Sequence, residues 1–132
     1  MGALTILLAL ALSIGSLATE ERESQGGSAP VPVEVWTGGD DALTQRFAVA
    51  VEEEFRTSQH FVLVNHGSTG GALKVVVPGH VGWRDFGSRT RVTYGLELER
   101  QGRRTKLRGG ACWESDMQRC ARQIVRSVER HR

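Results

Sequence analysis

Few side chains in this sequence have the types and spacing that chemistry requires, and the pair that comes nearest is Cys112 and Cys120. They are the only two cysteines in 132 residues. An even pair this close suits a disulfide that staples the end of one element to the start of the next. A metal site would need about four ligands, and no CxxC or HxxxH pairing is present. A redox pair would normally have the CxxC spacing as well. The cysteines are therefore read as a structural bridge, and no metal or cofactor is expected.

The histidines supply little more. His60, His66 and His80 surround two apolar runs, but no spacing makes them converge, so each is expected at the surface. The glycine-rich stretch 67–71 lacks the GK[ST] ending of a phosphate loop and leads into an apolar run instead of a helix N-terminus, so it is read as a turn. Ser68, His80 and Asp85 can be drawn as a triad, yet Ser68 has no GxSxG elbow and nothing fixes the geometry of the three. The chain is expected not to be an enzyme, with a small hydrolase built on His66, His80 and Asp85 as the alternative.

Trp83, Arg84, Asp85 and Phe86 are the candidate interaction residues. Trp and Arg are the side chains most often found as binding hot spots, and residues 80–88 have no clear period, which predicts the longest loop of the domain. Two readings stand side by side here. The aromatics either form an exposed binding surface or fold back as a lid over a core short of aromatics.

The elements that would hold these residues begin after an export signal. Residues 3–14 are almost unbroken Leu, Ile and Ala, and Ser16, Leu17 and Ala18 fit the small-x-small rule, which predicts cleavage after Ala18. The apolar run falls short of the roughly 20 residues that span a bilayer core. The n-region lacks Lys or Arg, which leaves an uncleaved anchor as the alternative. Residues 1–18 are thus read as a signal peptide and 19–30, charged and rich in Gly and Ser, as a flexible linker. Residues 31–132 form a single domain, periplasmic or secreted, with no stable membrane span after cleavage.

Charge is segregated although the net is only +2. Residues 20–54 hold nine acids against two bases, and residues 84–132 hold thirteen bases against six acids. The two halves are expected to meet and neutralise one another, and export argues against nucleic acid as a partner. Binding of anionic envelope polymers by the arginine-rich half remains an alternative.

Periodicity gives the order β-α-β-β-β-β-α. Val31, Val33 and Val35 alternate into a first strand. Asp40 or Asp41 caps a helix whose stripe is Leu43, Phe47, Val51 and Phe55. The apolar runs 61–64 and 72–77 predict two strands forming the centre of the sheet, the first buried on both faces. Val92, Tyr94, Leu96 and Leu98 alternate strictly, and Thr105, Leu107, Gly109 and Ala111 continue the pattern in a return strand. Ser115 and Gln118 have capping-box spacing ahead of a last helix with Met117, Cys120, Ala121, Ile124, Val125 and Val128 on one side. The expected fold is α+β, a mixed sheet of about five strands with two helices packed on one face.

This succession, with its helix ending in FRTSQHFVLV, its strand ALKVVVPGHV and its hairpin RVTYGLELERQGRRTKLRG, resembles the anticodon-binding-like domains of TolB, CsgG and LpoB. The resemblance covers residues 31–130 and is one of topology and apolar pattern. No lipid-site cysteine is present, and Cys112 and Cys120 are a local addition. It implies a non-enzymatic envelope domain that binds other envelope proteins.

Overall fold

The computed structural model describes residues 29–68 and 70–132. The signal peptide and nearly all of the linker expected from the sequence lie outside the described residues.

Alternation of Val33 and Val35 with Glu34 and Trp36 produces β1 (Val31–Thr37), which pairs in parallel with β2 (Phe61–Leu63) on one side and β3 (Leu73–Val77) on the other. β5 (Arg89–Arg100) then runs antiparallel to β3 and carries β6 (Arg103–Trp113) along its opposite edge from Arg91 to Arg100. β5 and β6 are joined by Gln101 and Gly102, both at positive φ, the geometry of a type I′ turn that matches strand twist.

α1 (Ala42–Thr57) and α2 (Met117–Glu129) pack on one face of this six-stranded mixed sheet, so the α+β class expected from the sequence is observed. Phe47, Val51 and Phe55 of α1 and Cys120, Ala121, Ile124 and Val128 of α2 are fully buried against Val33, Val75, Val92 and Leu96. Burying apolar area at about 25 cal/mol per Å² is what holds the two helices down.

Four expectations are corrected. Residues 82–86 are not loop but a further strand, β4 (Gly82–Phe86), joined to β5 by a two-residue turn at Gly87 and Ser88. Gly87 at φ +63 gives that turn the backbone that a tight hairpin needs, a signal hidden by the aperiodic composition around it. β3 and β4 lie end to end on the same edge of β5, interrupted around Pro78 and Gly79.

β2 is a three-residue edge strand and not central, so Val62 is 47% exposed. The return strand keeps its alternation only to Leu107, because a register shift opposite Gly95 lets Gly110 and Cys112 face Tyr94 and Val92. A Cβ on Gly109 would come within 2.2 Å of the Tyr94 carbonyl oxygen, which is why glycine stands at the shift. The capping box does not form: Glu114–Asp116 is a 3₁₀ turn, Asp116 precedes α2 without a side-chain bond, and Gln118 donates instead to Glu53 of α1.

Candidate functional site

Cys112, next to last in β6, faces inward and Cys120 is in the first turn of α2. Their Cα atoms are 5.7 Å apart and their sulfurs are bonded. The bridge fixes α2 on the sheet beside the 3₁₀ turn, and Arg46 of α1 pairs with Glu114 of that turn at 2.6 Å. Among the described residues this is the one ion pair between the two charge-segregated halves, and its base comes from the acidic half, so the expected pairing of N-terminal acids with C-terminal arginines is not made.

Strand alternation divides the candidate interaction residues. Trp83 faces Val92 and Asp85 faces Thr90, on the helix side of the sheet, while Arg84 and Phe86 are on the opposite, open side. All four are exposed, Trp83 at 64% and Phe86 at 48%, so the lid reading does not hold. Asp85 accepts a bond from Thr90 Oγ1 at 2.6 Å.

On the open side Phe86 belongs to a cluster the sequence reading did not assemble. Trp113 meets it edge to face at 6.0 Å, the Arg89 guanidinium lies 3.7 Å above the Trp113 ring, and that of Arg84 lies 5.4 Å from the centre of Phe86. Arg91 is the register partner of Trp113. Among the described residues, none of Arg84, Arg89 and Arg91 has a carboxylate within 4.0 Å. Guanidinium over an aromatic face is attractive through the ring quadrupole and pre-orders both groups at modest entropic cost. The signal was present in the sequence: Cys112 pointing inward requires Trp113 to point out.

Farther along the same face the charges are paired. Arg104 bonds Glu97 and Glu99, and Lys74 lies 3.6 Å from Glu99. The Arg104 bond is the main cause that lowers the Glu99 pKa below its ordinary value. Lys74, Glu99 and Arg104 share a shallow groove of about 470 Å³ with Trp36, Val76 and Pro78.

Glu34, in the middle of β1, is a buried carboxylate on the same side, only 1% exposed. Trp36 Nε1 donates to one oxygen at 2.8 Å and the Gly67 N–H donates to the other at 2.9 Å. His66 stacks on Trp36 at 3.8 Å and donates to the Val35 carbonyl. The glycine-rich connection is thereby pinned to the sheet, and both oxygens of the acid are satisfied.

His80 is elsewhere. It donates through Nδ1 to Asp41, the N-cap of α1, which also accepts from the backbone and hydroxyl of Thr44. The hydroxyl of Thr44 in turn accepts from the Val81 N–H. Gly38 and Gly39 let the chain cross this junction, since a Cβ on Gly39 would approach His80 Nδ1 to 2.6 Å. Bonds from Thr44 and then His80 hold the Asp41 carboxyl well below its usual range, and the bond to Asp41 raises the His80 imidazole. His66, His80 and Asp85 therefore have three separate sets of partners. The arrangement needed for a hydrolase on those residues is not assembled.

No family model and no curated protein matches the chain. Solved structures similar to it include the following two. The crystal structure of an uncharacterized protein shares 10% identity and a TM-score of 0.52, covering 80% of this chain and 97% of that one. The hypothetical protein CT253 from Chlamydia trachomatis shares 10% identity and a TM-score of 0.45, covering 77% of this chain and 96% of that one. The first likeness shows that the fold occurs in another chain of similar extent. Among the described residues no helix is long and apolar enough to cross a membrane.

Proposed function

We propose that this chain is an exported, non-enzymatic protein-interaction domain whose working surface is the open face of the sheet around Arg84, Phe86, Arg89 and Trp113. The observation that carries the reading is the cluster itself: two aromatic rings overlaid by arginines, without carboxylate partners among the described residues, on a sheet face that neither α1 nor α2 covers. Aromatic and arginine side chains of this kind dominate the energetics of protein interfaces. A rigid three-stranded platform holds them in place before any partner arrives. The apolar N-terminal segment and the disulfide support a periplasmic or secreted location. The resemblance to the anticodon-binding-like domains of TolB, CsgG and LpoB belongs to the same proposal, with an envelope protein as the partner.

Photo-crosslinking in the native host tests it. Benzoylphenylalanine at Phe86 should give an adduct with one defined protein, whereas the same group at Val49, exposed on the outer side of α1, should not. Adducts that are identical from both positions, or that contain only envelope polymer, would overturn the reading.

A further inference from the structure

β6 is the last strand on its side of the sheet, and its outer edge has no strand beside it among the described residues. In an antiparallel ladder, alternate residues aim their backbone groups at the neighbour and the others away from it. Arg100 and Arg103 flank the two-residue turn, and Leu98 with Thr105 and Leu96 with Leu107 follow in register. The N–H and C=O groups of Arg104, Lys106 and Arg108 therefore point outward. Past the register shift, Gly110 and Cys112 face β5, so Ala111 and Trp113 also point outward. None of these residues takes part in a backbone bond to a turn or loop among the described residues.

An open edge of 11 residues is a template for another strand. Its side chains decide which one. β6 carries Arg103, Arg104, Lys106 and Arg108 and no acid. Arg104 is engaged by Glu97 and Glu99, but Arg103, Lys106 and Arg108 have no carboxylate within 4.0 Å among the described residues. A second copy pairing edge to edge would set cation against cation, which is destabilising, whereas an acidic strand would meet them with opposite sign. At the far end of the edge is a recess of about 220 Å³ between Ala111, Trp113, Arg91, Arg119 and Gln123. Its two guanidinium groups, one from the sheet and one from α2, also have no carboxylate within 4.0 Å among the described residues.

We infer that the outer edge of β6 binds an extended acidic segment of a partner protein by strand addition, with one of the segment's carboxylates held between Arg91 and Arg119. This rests on the interaction-domain reading and gives the partner's chemistry. Backbone bonds supply the affinity, and the cations select the sign of the incoming strand.

The probe is a blocked peptide of five Glu-Thr repeats, added to the full chain and followed by NMR shifts and amide exchange. Binding should slow exchange at Arg104, Lys106, Arg108 and Ala111, and should weaken about tenfold or more between low and moderate salt as the charges are screened. Methylating alternate peptide nitrogens should abolish binding without touching the protein, and a Lys-Thr peptide should not bind. Lys106→Pro removes one outward N–H where an edge tolerates proline and should weaken binding about tenfold, against about threefold for Lys106→Gln.

Undiminished binding of the methylated peptide, or absence of protection along β6, overturns the proposal. So does protection of those amides before any peptide is added, since the edge would then already be filled by the chain itself or by a second copy. If the adduct at Phe86 persists while the peptide fails, only strand addition is lost. If both fail, the interaction-domain reading falls with it.

Discussion

Reducing the Cys112–Cys120 bridge breaks the S–S bond and adds only two hydrogen atoms, with two electrons and two protons from the reductant and solvent, so it isolates the effect of the cross-link. The bridge spans a sequence separation of 8. Chain-entropy loss for a loop of that size is about 8 cal/mol/K, which at 25 °C corresponds to about 2.5 kcal/mol of stability. In a domain of this length a change of that size lowers the midpoint of thermal unfolding by roughly 10 to 20 °C. The assay is urea unfolding of the same preparation with and without a phosphine reductant, followed by near- and far-ultraviolet circular dichroism. Both cysteines are nearly or fully buried, so the reduced protein should still fold, with its thiols packed in place. A loss under about 1 kcal/mol would contradict a stabilising role for the cross-link, because α2 would then be held by its apolar stripe alone. Two free thiols in denatured, unreduced protein from its native host would refute it more simply.

The Asp41–His80 contact should make stability depend on pH in a defined window. Asp41 is lowered and contributes above its ordinary value near 4, and His80 is raised and contributes below its ordinary value near 6.5. The destabilisation by His80→Ala should therefore be greatest between those values and should shrink as pH rises through the His80 midpoint. An NMR titration of the imidazole that gave a midpoint at or below about 6.5 would contradict this. Glu34→Gln should cost about 2 to 3 kcal/mol in urea unfolding, since Trp36 Nε1 and the Gly67 N–H both need an acceptor and glutamine offers one oxygen. A cost under about 0.5 kcal/mol would mean that this pairing does not hold the glycine-rich connection.

Much of the fold was legible because apolar spacing reports burial directly. Leu43, Phe47, Val51 and Phe55 could only be one side of a helix, and Asp41 caps it as its side chain allows. The strands paired in parallel were misjudged at β2, where an apolar run of four reads like a buried strand although the sheet ends there and exposes Val62. β4 was missed for the opposite reason. Its residues Gly82, Trp83, Arg84, Asp85 and Phe86 are exposed on both faces, so no hydrophobic period marks it, and only pairing with β5 makes it a strand.

The same blindness separated the candidate residues. Read as a loop, Trp83 and Arg84 share a surface; as a strand they point to opposite sides. Arg89 and Trp113 come to Phe86 through the register of three strands, information that no local window contains. The disulfide was legible because two cysteines allow a single pairing.

In the proposed function, Phe86 and Trp113 anchor a protein partner on the open face of the sheet. With the protein captured from Phe86 in purified form, its affinity for the Phe86→Ala, Trp113→Ala and Val49→Ala variants decides the matter by titration calorimetry. Phe86→Ala and Trp113→Ala should each weaken binding about tenfold or more with their thermal unfolding little changed, and Val49→Ala should stay within about twofold. Unchanged affinity for both aromatic variants would contradict the claim.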